Sequence, residues 1–169
     1  FQNFSKMFND DDSNASKRIS ETIDTMFSYQ RSDSIMFTFL DMISLSKSEA
    51  KITYFFSKAL QSNRSDEFLM KLIQTCDTVD LSNGHSEDTY LKHEPIIRTL
   101  LEHCKSEQVL EAFLDKFPST ALIKKSPSPL VLAIEQKHGT VIVMKITSIV
   151  ASNVTGQSDI GRAIPIAMR

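Results

Sequence analysis

From Lys17 to Asp77 the apolar residues recur at the spacing of a helix rather than of a strand. Ile19, Ile23, Met26 and Phe27 fall at i, i+4, i+7 and i+8, a single stripe that predicts an amphipathic helix. The run Ile35-Met36-Phe37, Phe39-Leu40 and Met42-Ile43 is apolar on most sides and predicts a central helix. Ser46-Lys47-Ser48-Glu49 is a capping-box pattern, in which hydroxyl and carboxylate satisfy orphan amides reciprocally. It opens a third helix carrying Ile52, Phe55, Phe56, Ala59 and Leu60, and Ser65-Asp66 starts a fourth with Phe68, Leu69, Leu72 and Ile73. Ahead of these, Phe1, Phe4, Met7 and Phe8 precede the polar run Asp10-Asp11-Asp12-Ser13-Asn14. We expect residues 1–16 to be an arm docked on the body, because three phenylalanines are costly to leave in water.

The pattern changes between Asp77 and His93, where Asp, Ser, Asn, Gly and His cluster with little apolar content. Residues 78–93 are expected to be a loop at a boundary between a helical region, 17–77, and a second unit, 94–169. Pro95 suits a first helical turn, where a missing N–H costs nothing. Further on, Ser128 can cap a helix, Pro129 presets its first turn, and Leu130 and Ala133 form its packing face. His138-Gly139 is expected to stop that helix, with Gly139 supplying left-handed backbone. Val141, Ile142 and Ile146 then mark the apolar face of the next helix.

Ser128-Pro129-Leu130-Val131-Leu132-Ala133 followed by His138-Gly139 resembles the opening of an ankyrin repeat, a turn plus two helices of about 33 residues. A weaker copy runs from Pro95-Ile96-Ile97 through Leu100-Leu101 and Val109-Leu110 to Phe117-Pro118. Pro95 and Pro129 lie 34 residues apart. A third start, Asp159-Ile160-Gly161-Arg162-Ala163-Ile164-Pro165, is one residue short and has Pro where the family has His. The pattern also departs from the family at Lys137, where Gly is usual, and at Val131, where His is usual. The resemblance covers 94–169 and implies an all-α, helical-hairpin solenoid with a binding role. The first four helices carry no such signature and are expected to be degenerate repeats or a cap over the end of the stack.

Composition narrows the function. Eleven Phe, seven Met, four Gly and no Trp in 169 residues favour packed helices. A formal charge of −2 makes no case for direct nucleic-acid binding, and no apolar run is long enough to insert in a membrane. Cys76 and Cys104 read as reduced thiols of an intracellular protein, cytoplasmic or nuclear, and not as a disulfide framework. The sequons at Asn3, Asn14, Asn63 and Asn153 read as chance matches in a Ser/Thr-rich chain. The missing initiator Met and the third start close to Arg169 suggest an excised fragment.

No cofactor, metal or catalytic constellation is expected. Cys76, Asp77, His85, His93 and His103-Cys104 lack the tight spacing of zinc ligands. Both thiols fall at predicted helix C-termini, where the dipole opposes a thiolate. No phosphate loop or nucleophile elbow occurs. The expected role is therefore a non-catalytic adaptor or scaffold for a protein partner. Its contacts would be Lys124, Lys125 and Ser126 in a finger turn, Glu135, Gln136 and Lys137 on the inner-helix face, and Asp159 and Arg162 in the next finger. The alternative is a homo-oligomer assembled through the Phe- and Met-rich first four helices.

Overall fold

A computed structural model describes residues 13–45, 48–77, 79, 91, 94–123 and 126–152. All regular secondary structure among them is helical: α1 (Ser13–Ser28), α2 (Asp33–Ser44), α3 (Glu49–Gln61), α4 (Asp66–Thr75), α5 (Ile96–His103), α6 (Glu107–Lys116), α7 (Pro129–Glu135) and α8 (Thr140–Ala151). A 3-10 turn, Pro118–Leu122, follows α6. The third helix opens with Ser48 as N-cap, whose side chain makes no cap hydrogen bond, and Ser46 of the predicted capping box lies outside the described residues. Pro95 stands one place ahead of the first helical turn, as the N-cap of α5.

The helices form four pairs, and the first and last steps between them are equal. The N-caps of the second helices are Ser32, Ser65, Ser106 and Gly139, separated by 33, 41 and 33 residues. The longer middle step contains 78–93. Applying these steps to the apolar residues produces columns. Phe39, Leu72, Phe113 and Ile146 make one, and Ile43, Cys76, Phe117 and Val150 another, every member buried. In the first helices Ile23, Phe56, Ile97 and Leu130 make a third, also buried throughout. Burying a large side chain of this kind is worth about 1.5–3 kcal/mol. The same periodic positions therefore build the core of every pair.

Packing follows the columns. First helices lie side by side, α1 on α3, α3 on α5 and α5 on α7, and second helices do likewise, α4 on α6 and α6 on α8. Contact thus runs straight across the 78–93 stretch, and one hydrophobic core extends from Ile19 to Val150. Aromatic rings join successive pairs: Phe37 meets Phe68 at 4.9 Å, and Phe56 meets Phe113 at 5.6 Å. The predicted central helix is not α2 but α3, whose residues Lys51 to Ser57 are buried without interruption. Its position between α1 and α5, with α2 and α4 also against it, accounts for this burial.

Polar side chains tie each pair to the one before. Arg64, just after the turn that closes α3, donates to the Arg31 carbonyl at 3.2 Å and to Asp33 at 3.3 Å. His138 holds the equivalent place in the fourth pair, and its Nε2 donates to the Leu101 carbonyl at 2.6 Å. Lys116 donates to the Ile73 and Gln74 carbonyls, both at 2.8 Å, neutralising the C-terminal end of α4. Lys145 bridges Glu111 at 3.3 Å and Asp115 at 2.6 Å.

Candidate interaction surface

The predicted contacts Ser126, Glu135, Gln136 and Lys137 flank α7, and each is exposed. Lys124, Lys125, Asp159 and Arg162 lie outside the described residues. The backbone leading into α7 is held from behind. Arg98, on α5, donates through one guanidinium nitrogen to the carbonyls of Ser126 at 3.0 Å and Pro127 at 3.4 Å. Glu94 and Glu102 flank the same guanidinium at 3.9 Å each. Ser128 Oγ then accepts from the Val131 amide at 3.4 Å and Pro129 occupies the first turn, as the sequence pattern requires.

The far end of α7 differs from expectation. The left-handed residue is Lys137, at φ 58°, and Gly139 is extended at φ −61°, ψ 159°. The His138 amide donates to the Ala133 carbonyl and the Lys137 amide to the Ile134 carbonyl, each at 3.0 Å. That pair of bonds is a Schellman closure, which needs its left-handed residue one place past the C-cap Gln136. A Cβ at residue 139 would meet only the carboxylate end of exposed Glu107, a flexible side chain that can move aside, so Gly139 is not required for the closure. The closure turns Lys137 outward beside Gln136.

Ser126 and the group Glu135–Lys137 sit at opposite ends of α7, about 10 Å apart along a seven-residue helix at 1.5 Å per residue. They do not form one compact cluster. The pair spacing instead places Glu135 in line with Ser28, Gln61 and Glu102, the last or next-to-last residues of the other first helices, and all four are exposed. Glu102 and exposed His103 on α5 therefore extend the predicted patch, and sequence reading missed them. The signal was available, since Glu102 precedes Glu135 by 33 residues. At the other end of this rim, Asp24, Phe27, Ser28, Lys58, Gln61 and Ser62 line a shallow groove of about 380 Å³. Inside it Lys58 pairs with Asp24 at 2.9 Å, and the Tyr54 hydroxyl donates to the same carboxylate at 3.1 Å.

Electrostatics disfavour nucleophilic use of either cysteine. Burial pushes the Cys76 thiol up to about 12 and raises that of Cys104 as well. Burial, rather than a helix dipole, is the leading cause. Both thiols end helices, at the C-cap positions of α4 and α5, and both are buried. His103 is exposed and Cys104 is buried. Among the described residues no group of three or more His, Cys, Asp or Glu is placed to hold a metal ion. No helix among them is long and apolar enough to cross a membrane. Comparison with protein-family models, curated proteins and solved structures finds no significant match to this chain.

Proposed function

We propose that the chain is a non-catalytic, ankyrin-like α-helical solenoid that acts as an adaptor or scaffold by binding a protein partner. The observation that carries this reading is the 33-residue step that separates the first pair from the second and the third from the fourth, with buried columns behind and an exposed polar rim in front. A stack of this kind makes a long surface from equivalent positions on adjacent helices. Here that surface runs along the C-terminal ends of the first helices, through Ser28, Gln61, Glu102 and Glu135, and ends at Gln136 and Lys137. Neither thiol supplies an accessible nucleophile, which supports binding over catalysis. The rim mixes both charge signs, so the partner is a protein of mixed surface charge and not a polyanion.

The reading is tested by affinity capture with the intact chain against two variants, Glu135→Arg with Lys137→Glu, and Lys124→Glu with Lys125→Glu. The expected result is a partner retained by the parent and lost by at least the first variant. Equal capture by all three would remove both patches from the binding surface. A parent chain that retains nothing specific would remove the function.

A further inference from the structure

Arg98 departs from the periodic framework that surrounds it. Its equivalents in the other first helices are Asp24, Ser57 and Val131. Asp24 pairs sideways with Lys58 and Tyr54, the Ser57 hydroxyl is buried without a partner, and Val131 is apolar. Of these four, Arg98 is the one that reaches forward to the backbone entering the next pair. The reach is therefore not part of the repeated architecture, which stands without it elsewhere.

The bonding of the guanidinium is directed at that backbone. One terminal nitrogen donates to the Ser126 carbonyl at 3.0 Å and to the Pro127 carbonyl at 3.4 Å. Glu94 and Glu102 each stand 3.9 Å from other guanidinium nitrogens, too far to accept a hydrogen bond, and Nε is buried without an acceptor. The two carboxylates thus balance the charge of a side chain that is only 16% exposed. Hydrogen bonds from an ionised donor are roughly twice as strong as neutral ones, which suits a single residue to fixing two carbonyls. Glu102 belongs to the exposed rim, and Ser126 lies at the opposite end of α7 from Glu135. Arg98 is the link between these two separated parts of the surface.

We propose that Arg98 is a positioning residue for partner binding: it fixes the Ser126–Ser128 backbone so that Ser126 meets the same protein partner as Glu102 and Glu135. Arg98 acts through the carbonyls it holds, not by its own contact with the partner. The inference rests on the adaptor reading above and assigns that surface a residue behind it.

Hydrogen exchange on the intact chain, followed by titration with the purified protein that the parent chain captures, tests it. The Val131 and Leu132 amides, which donate to the Ser128 hydroxyl and carbonyl, report the start of α7. The Gln136 and His138 amides, which donate to Leu132 and Ala133, report its far end. Arg98→Met should speed exchange about tenfold at the first two amides and leave the last two unchanged. It should also weaken partner affinity about tenfold, and Arg98→Lys, which keeps a charged donor, should recover part of both losses. Unchanged exchange at Val131 and Leu132, or equal acceleration at all four amides, overturns the positioning role. Faster exchange confined to Val131 and Leu132 with undiminished affinity overturns the inference and leaves the adaptor reading standing. A parent chain that captures nothing overturns the adaptor reading and the inference with it. Should Arg98→Met lose its helical circular dichroism, Arg98→Gln carries the same readouts.

Discussion

Lys137 shows how a helix can be closed without glycine. A side chain in the left-handed region is strained by about 1 kcal/mol or more, and the Schellman bonds from His138 and Lys137 hold it there. Gln30 and Asn63 do the same service after α1 and α3, at φ 46° and 51°. All three occupy the same place in their pairs, whereas Cys104, at that place in the third pair, is extended at φ −89°. Lys137→Gly should accordingly stabilise the fold by about 0.5–1 kcal/mol, read as a shift in the denaturation midpoint. An unchanged or lower midpoint would show that the lysine stem contributes packing that offsets its strain.

Cys76 is a core residue that happens to carry a thiol. With its ionisation pushed up to about 12, it should resist alkylation at pH 8 until the chain unfolds. The pH dependence follows from the sign of the shift. Below about 9 the thiol is protonated in both states and costs nothing. Between about 9 and about 12 only the unfolded chain releases the proton, so stability falls as pH rises. The slope from this one group is at most about 1.4 kcal/mol per pH unit. Denaturation midpoints of the parent and of Cys76→Ala across that range should converge as pH rises.

At the scale of elements, helix type and helix existence were legible in the sequence while closure and register were not. The stripe Ile19, Ile23, Met26, Phe27 and the Ser128-Pro129 start have their predicted form, because spacing and capping chemistry act locally. The role given to Gly139 was misplaced because Lys137, one place past the C-cap, takes the left-handed backbone, leaving Gly139 extended. The common period of the first four helices was hidden for a different reason. Their equivalents vary in identity, Phe39 against Leu72 and Phe113, or Ile43 against Cys76 and Phe117, while burial stays constant. Columns tolerate such exchange when total volume is kept. They do not tolerate truncation: Phe113→Ala should cost about 3–5 kcal/mol, against no more than about 0.5 for Met144→Ala. Equilibrium unfolding of the two variants separates a column position from an open one. His138→Ala should cost about 1 kcal/mol through the lost bond to Leu101.

For the molecule as a whole, nearest-neighbour packing decides which surfaces are free. The α3 helix is enclosed from Lys51 to Ser57, so the expected inner-helix face cannot run uniformly along all four pairs. What stays open at every pair is the rim of first-helix ends, and the proposed adaptor function is a claim about that rim. The predicted patch at Glu135–Lys137 was readable as polar residues closing a repeat-like phrase. Its continuation to Glu102 and His103 required knowing that α5 lies against α7.

A photocrosslinking scan tests that claim most directly. A photoreactive side chain is placed in turn at Ser28, Gln61, Glu102 and Glu135 on the rim, and at Gln74 and Asp115 on exposed faces of the second helices. The account predicts one common partner adduct from two or more adjacent rim positions, Glu102 and Glu135 foremost, and none from Gln74 or Asp115. Adducts formed only from Gln74 or Asp115, or from no position at all, would contradict it.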